Sequence, residues 1–192
     1  MDLGGIMNTK EIISRLDYKL LKGSLDQDVT GICFDSRKVT PGDIFVCIHG
    51  AVFDSHDALT QIDGGSPALI IVDESYQLDL SNINSTVVAT SNTRHAKAVV
   101  SAAFYDYPSE KLKMVGVTGS KGKTTVATMI TAALRKAGRK AASIGSNGVN
   151  LGDEILEVAN TTPDSDQMQK FLSIMVSKGI EYAVLECSSQ GL

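Results

Sequence analysis

The stretch that most constrains this chain is Met114-Val-Gly-Val-Thr-Gly-Ser-Lys-Gly-Lys-Thr-Thr-Val-Ala-Thr-Met-Ile130. An apolar run stops at Thr118, a loop carrying Gly119 and Gly122 follows, and Lys123-Thr124-Thr125 opens a helix-like run. The order is strand, phosphate-sized loop and helix start. Unpaired loop amides and a helix N-terminus converge there, and the helix dipole favours an anion. In that setting Lys123 reaches the β/γ-phosphates of a nucleotide and the Thr124 hydroxyl sits on Mg²⁺. The pattern G-x-x-x-x-G-K-[ST] asks for glycine where this chain has Val117, so the loop is a shorter variant, T-G-x-x-G-K-T-T, with the same mechanics. The competing account is an ordinary Gly-rich turn with a solvated lysine; the flanking strand and helix favour the nucleotide. Gly116, Gly119 and Gly122 do not fit G-x-G-x-x-G, which sets aside a dinucleotide fingerprint.

Composition narrows the partners. A hydrophobic content of 43% over 192 residues supports a packed core in one domain or two small ones. A net charge of −4 argues against a general nucleic-acid or membrane-surface binder. No apolar run reaches membrane-spanning length, so no membrane insertion is expected. Met1 to Asn8 lacks a basic n-region and an apolar h-region, which reads as no signal peptide and a cytoplasmic chain. Cys33, Cys47 and Cys187 are odd in number and lie in or beside apolar runs, as buried reduced thiols do. His49, His56 and His95 are scattered without zinc spacing and read as surface or capping residues.

Along the chain, Asn8-Thr-Lys-Glu11 is a capping box opening a short helix through Ile12, Ile13 and Leu16. Strands are expected at Gly31–Asp35, Ile44–Ile48, Ala68–Val72 and Thr86–Thr90, with a short helix from Ala58 to Ile62 stopped by Gly64-Gly65. Ser91-Asn92 caps a helix through Ala96, Val100 and Phe104, and Asp106–Lys111 is a linker. After the loop, a helix runs to Lys136 and a strand covers Ala141–Ile144. Gly145–Gly152 reads as a turn region and Glu154–Val158 as a short strand. Pro163 reads as a first-turn proline of a helix whose buried face is Met168, Phe171, Leu172, Met175 and Val176. Tyr182–Cys187 is a strand that ends polar. The repeated strand-then-helix order gives an α/β fold. The expected division is 1–90 and 91–192, the second domain opening with the helix after Ser91, with a boundary anywhere up to Pro108 as the alternative. A doubly wound nucleotide domain uses about five or six parallel strands, more than this one supplies, so the chain reads as a piece of a longer protein.

Three further groups could carry chemistry. Glu186 ends an apolar strand downstream of the loop, a Walker-B-like placement, and parallel strands end at the ligand crevice. A carboxylate there can share Mg²⁺ with Thr124; a solvent-facing strand end is the alternative. Asn160-Thr161-Thr162-Pro163 puts three hydrogen-bonding side chains before a helix, where capping explains one of them and substrate contact would explain the cluster. Asp35-Ser36-Arg37 reads by chemistry alone as a turn with a surface arginine.

Thr118-Gly-Ser-Lys-Gly-Lys-Thr-Thr125 resembles the ATP loop of the Mur ligases, the ATP-dependent amino-acid ligases of peptidoglycan synthesis. Asp35-Ser-Arg37, Pro41-Gly-Asp-Ile-Phe-Val46 and Gly50 resemble the uridine-nucleotide domain of the member that adds the third residue of the stem peptide. Asn160-Thr-Thr-Pro163 and Leu185-Glu-Cys-Ser-Ser189 are similar to its substrate-side segments. The resemblance covers nearly the whole chain in order. It implies a small N-terminal α/β uridine-nucleotide domain followed by the first part of a P-loop-type parallel-sheet ATP-binding domain.

The resemblance also implies roles. Phe34, Ser36, Ala51, Val52 and Phe53 fall where the family contacts the uridine nucleotide. Gly119, Ser120, Lys121, Gly122, Lys123, Thr124 and Thr125 fall on the ATP loop. Asn160, Thr161, Thr162 and Ser188 fall on contacts to the muramoyl-peptide, and Glu186 on a magnesium ligand. Lys123 and Glu186 would be the catalytic pair. The implied reaction is ATP-dependent and ADP-forming: an amino acid joins UDP-N-acetylmuramoyl-L-alanyl-D-glutamate through an acyl phosphate. Two departures stand out. Ser120-Lys121 replaces the usual Thr-Asn, and Gln190 replaces a histidine whose charge and metal affinity glutamine lacks. The family's carbamylated lysine and C-terminal domain would lie beyond Leu192, so the chain alone is expected not to ligate. Two other readings stay open: a P-loop ATPase or kinase without ligase activity, which leaves Asp35–Arg37 and Pro41–Asp43 unexplained, and a non-catalytic binding paralogue, to which Gln190 points.

Overall fold

The computed structural model describes residues 7–158 and 160–188. The chain forms two compact units that divide between Phe104 and Tyr105.

The first unit contains β1 (Met7–Asn8), α1 (Thr9–Ile12), β2 (Lys19–Lys22), β3 (Asp28–Val29), β4 (Gly31–Cys33), β5 (Asp43–Val46), α2 (Leu59–Gly64), β6 (Leu69–Asp73), β7 (Thr86–Thr90) and α3 (Thr93–Phe104). Its main sheet has the order β2-β7-β6-β5-β4. β4 to β7 are parallel and β2 joins β7 antiparallel. The central strands are β-branched, apolar and buried on both faces, as strands of a covered parallel sheet must be. Alternate residues Phe45, Cys47, Ile70, Val72, Val87 and Ala89 pack with Leu59 and Ile62 of α2. α3 packs on α1 and on β4, β5 and β6, burying Ala96, Val100 and Ala103.

The capping box at Asn8 forms as expected: Asn8 Oδ1 accepts from the amides of Lys10 and Glu11, and Glu11 accepts from the Asn8 amide. Asn92 Oδ1 accepts from the His95 amide at 2.9 Å, so it caps α3. α3 nevertheless belongs to the first unit rather than opening the second. Its apolar stripe announces a buried face, and the sheet that covers it is the one before it in sequence. β1, β2 and β3 were not expected from the sequence. β2 is an edge strand bracketed by Lys19 and Lys22, with Leu20 and Leu21 half exposed, so it carries no two-residue apolar period.

The second unit contains β8 (Lys113–Thr118), α4 (Lys123–Lys136), β9 (Ala141–Gly145), β10 (Gly148–Asn150), β11 (Ile155–Leu156), α5 (Ser165–Ser177) and β12 (Tyr182–Cys187). Its sheet has the order β11-β10-β9-β12-β8. β8, β12 and β9 are parallel; β10 and β11 are antiparallel additions, so the sheet is mixed. α4 covers one face through Val117, Ala127 and Val184. The larger core, with Ala142, Ile144, Leu172, Met175 and Ala183, packs α5 onto the sheet. Part of the expected turn region at 145–152 is strand β10, because Ser146 and Asn147 make a two-residue hairpin between paired Gly145 and Gly148. Pro163 stands one residue before the cap of α5: Asp164 is the N-cap and its Oδ1 accepts from the Ser165 amide. Pro108–Lys111, expected as linker, is a 3₁₀ turn packed against α5.

Candidate functional site

β8 delivers the chain to the phosphate loop. Gly122, the N-cap residue of α4, has φ +79°, a left-handed conformation that favours glycine, and as a glycine it offers the first turn no side-chain cap. Lys123 folds back so that Nζ donates to the Gly119 carbonyl at 2.7 Å. Ser120, Lys121 and Thr125 are exposed around the loop.

Strand order decides what faces it. β12 lies directly beside β8, with Glu186 opposite Val117 and Cys187 opposite Thr118. Glu186 is only 4% exposed. Its Oε2 accepts from Thr124 Oγ1 at 2.7 Å, and its Oε1 accepts from the Ser146 amide at 3.2 Å. Ser146 Oγ lies 3.5 Å from Oε2 and 3.0 Å from Thr161 Oγ1. The Thr162 hydroxyl donates to the Glu186 carbonyl at 2.9 Å and accepts from the Ser188 amide at 2.9 Å. Loop, carboxylate and the Thr161–Thr162 pair therefore form one hydrogen-bonded group. Asn160 is exposed. Gln190 and Ser189 lie outside the described residues.

Two members of this group were not singled out in the sequence. Ser146 follows β9, and the rule that ligands sit at the carboxyl ends of parallel strands would have found it. Gly145 is required by proximity: a Cβ built there would overlap the Glu186 carboxylate. The oxygen pair of Thr124 and Glu186 suits Mg²⁺, which takes one or two protein oxygens and completes its octahedron with phosphates and water. Among the described residues no cluster of three or more His, Cys, Asp or Glu forms a self-sufficient metal cage.

The first unit has a cleft of about 680 Å³, within the range of small-molecule sites. It opens where β4 and β5 end and is lined by Phe34, Ser36, Gly50, Phe53, Ser55 and Gln61, among others. Ala51 and Val52 lie on the same hairpin but are exposed, outside the lining. Arg37 is 78% exposed and folds onto Asp35, donating through Nε and Nη2 at 2.9 Å each. Those hydrogen bonds hold the Asp35 carboxyl down at about 2. His56, expected as a surface or capping residue, is buried. Its Nε2 accepts from the Asp73 amide at 3.0 Å, so Nδ1 carries the proton and donates to Asp54 Oδ1 at 2.6 Å. Cys47 is buried, Cys33 and Cys187 are half-buried, and all three are free thiols. Burial pushes the Cys47 thiol up to about 12.

Residues 117–192 match the family model of the Mur ligase middle domain. The second unit is thus similar to the middle domain of the Mur ligases. One curated Mur ligase, UDP-N-acetylmuramoyl-L-alanyl-D-glutamate–2,6-diaminopimelate ligase 1 of Clostridium acetobutylicum, is 38% identical over 97% of this chain. The chain spans 38% of the length of that relative. Among solved Mur ligases, a UDP-N-acetylmuramoyl-L-alanyl-D-glutamate–2,6-diaminopimelate ligase superposes over 97% of this chain and 37% of its own, with TM-score 0.75 at 21% identity. The MurF ligase of Thermotoga maritima in complex with ADP superposes over 82% of this chain and 32% of its own, with TM-score 0.53 at 24% identity. At these identities the two structures establish the fold.

Proposed function

We propose that the chain supplies the substrate-side and ATP-side parts of an ATP-dependent ligase acting on UDP-N-acetylmuramoyl-L-alanyl-D-glutamate. The first unit, with the cleft at Phe34, Ser36 and Phe53, binds the uridine nucleotide. The second, through Gly119–Thr125, binds ATP. The observation that carries this reading is the Thr124–Glu186 hydrogen bond, which brings the phosphate loop to a buried carboxylate on the adjacent strand. The names of the relatives support 2,6-diaminopimelate as the amino acid added.

The chemistry proceeds in two steps. An oxygen of the substrate's terminal carboxylate attacks the γ-phosphorus of ATP, and ADP leaves. The amine of the incoming amino acid then attacks the acyl carbon; inorganic phosphate leaves and the nitrogen loses a proton. The chain's own groups position the phosphates and neutralise charge. Lys123 moves from the Gly119 carbonyl to the β/γ-phosphates, and the loop amides hold the same chain of phosphates. Thr124 and Glu186 would hold Mg²⁺, which when bound draws charge from the phosphoryl oxygens. Thr161, Thr162 and Ser188 orient the muramoyl-peptide. Because the chain spans 38% of its relative's length, the isolated 192-residue chain is expected to bind without ligating.

Calorimetric titration with UDP-N-acetylmuramoyl-dipeptide, with and without Mg-ATP, tests the proposal. Saturable binding that Ser36→Ala weakens, and Mg-ATP binding that Lys123→Ala abolishes, are expected. Failure of the wild-type chain to bind any uridine nucleotide would overturn the substrate assignment.

A further inference from the structure

The hairpin from His49 to Asp54 forms one wall of the cleft through Gly50 and Phe53, yet Ala51, Val52 and Phe53 are exposed and contribute little packing. What fixes its shape is a carboxylate at its base. Asp54 Oδ1 accepts from the His56 amide at 3.0 Å and from His56 Nδ1 at 2.6 Å. Asp54 Oδ2 accepts from His49 Nδ1 at 2.7 Å and from the Tyr76 hydroxyl. The Asp54 side chain is 15% exposed, so these donors replace most of its water.

The four hydrogen bonds join three segments. His49 opens the hairpin, His56 follows it, and Tyr76 lies in the loop after β6. His56 stacks on Tyr76 with ring centroids 3.9 Å apart, and its Nε2 accepts from the Asp73 amide at the end of β6. The far side of the hairpin has its own tether: Arg94 Nη2 of α3 donates to the His49 carbonyl at 3.2 Å. Within the hairpin, the Gly50 amide donates to the Phe53 carbonyl at 3.0 Å.

We infer that Asp54 is a positioning residue for ligand binding: through His49, His56 and Tyr76 it presets the wall formed by Gly50 and Phe53, an assignment that rests on the reading of the cleft as the uridine-nucleotide site. A hairpin held before the ligand arrives avoids the ordering cost that a loose one incurs on binding. Asp54 does not line the cleft, so its effect is transmitted through the backbone of residues 50–53.

Asp63 provides the control. It is a comparable hub in the same unit, accepting from the amides of Asn84 and Ser85 and from the Ser85 hydroxyl, away from the hairpin. The experiment is titration of the 192-residue chain with UDP, alongside Asp54→Asn, Tyr76→Phe and Asp63→Asn. Circular dichroism verifies folding, and hydrogen exchange is read peptide by peptide. Asp54→Asn should weaken UDP binding by about tenfold or more, and Tyr76→Phe by about threefold, with faster exchange confined to the hairpin. Asp63→Asn should lower the unfolding midpoint while leaving UDP affinity within about twofold. UDP affinity unchanged in Asp54→Asn, or lowered equally in Asp63→Asn, would overturn the positioning role alone. If the wild-type chain does not bind UDP, the reading of the cleft fails and this assignment goes with it.

Discussion

The hydroxyl of Thr124 lies 2.7 Å from Glu186 Oε2, joining the first turn of the helix after the phosphate loop to the end of the neighbouring strand. Glu186→Gln keeps the shape of the side chain and removes its charge. We expect Mg²⁺-dependent ATP affinity to fall by about tenfold or more, while binding of UDP by the other unit is unchanged. Titrations with ATP in Mg²⁺ and in EDTA check this. Equal loss under both conditions would assign Glu186 to packing instead.

Gly145→Ala should damage the same group without touching a ligand. The added methyl meets the Glu186 carboxylate, which is held in place by Thr124 and Ser146. Overpacking of this kind costs about 1–3 kcal/mol. Urea unfolding should show that loss in the second unit, and ATP affinity should fall with it. A variant as stable as wild type would mean that Glu186 has room to move aside.

The rim of the cleft separates affinity from stability. Phe53 is 56% exposed and Ser36 is half-buried, so alanine at either position should barely shift the unfolding midpoint. Each substitution should nonetheless weaken UDP binding by about three- to tenfold. Calorimetry on the two variants checks both halves. Wild-type affinity in both would move the uridine site elsewhere.

Acid should destabilise the first unit. Burial works against ionisation of Asp54, but hydrogen bonds from His49, Tyr76 and His56 outweigh it and hold the carboxyl well below the usual range. Asp63, opposed by burial but bonded to Ser85 and Asn84, and Asp73, bonded to Ser75, are also lowered. Depressed carboxyls contribute stability that is fully present above their unfolded value of about 3.9 and lost as pH falls through their folded values. Thermal midpoints measured between about pH 5 and pH 2 should therefore decline for the first unit, and Asp54→Asn should flatten part of that decline. An equal decline in Asp54→Asn and wild type would remove Asp54 from the account.

Local signals made much of this legible. The phosphate loop, the Asn8 capping box, the strands at β6 and β7 and the glutamate at the end of β12 are written in runs of adjacent residues. Glu186 was placed because an apolar strand ending in a carboxylate says where its end will be. Ser146 and Gly145 were not, because their importance comes from β12 lying beside β9, a neighbourhood that no run of sequence states. The unit to which α3 belongs is open in the sequence for a similar reason: its stripe of Ala96, Val100 and Ala103 shows that a face is buried but not by which sheet. His56 reads in the sequence as a surface or capping residue because its partners, the Asp54 side chain and the Asp73 amide, meet it only in the fold.

The sheet order β8-β12-β9 also dictates a sequence of events in folding. β8 and β9 are synthesised first, joined by α4, yet they never pair with each other. A gap one strand wide must be kept between them until β12 arrives, and Glu186 is 62 residues downstream of the Thr124 it binds. Closure of that long loop comes late and slowly, since contacts distant in sequence must be formed before they stabilise anything. The Gly119–Gly122 loop is thus made before the carboxylate that faces it, and until β12 arrives β8 and β9 each present an unpaired edge.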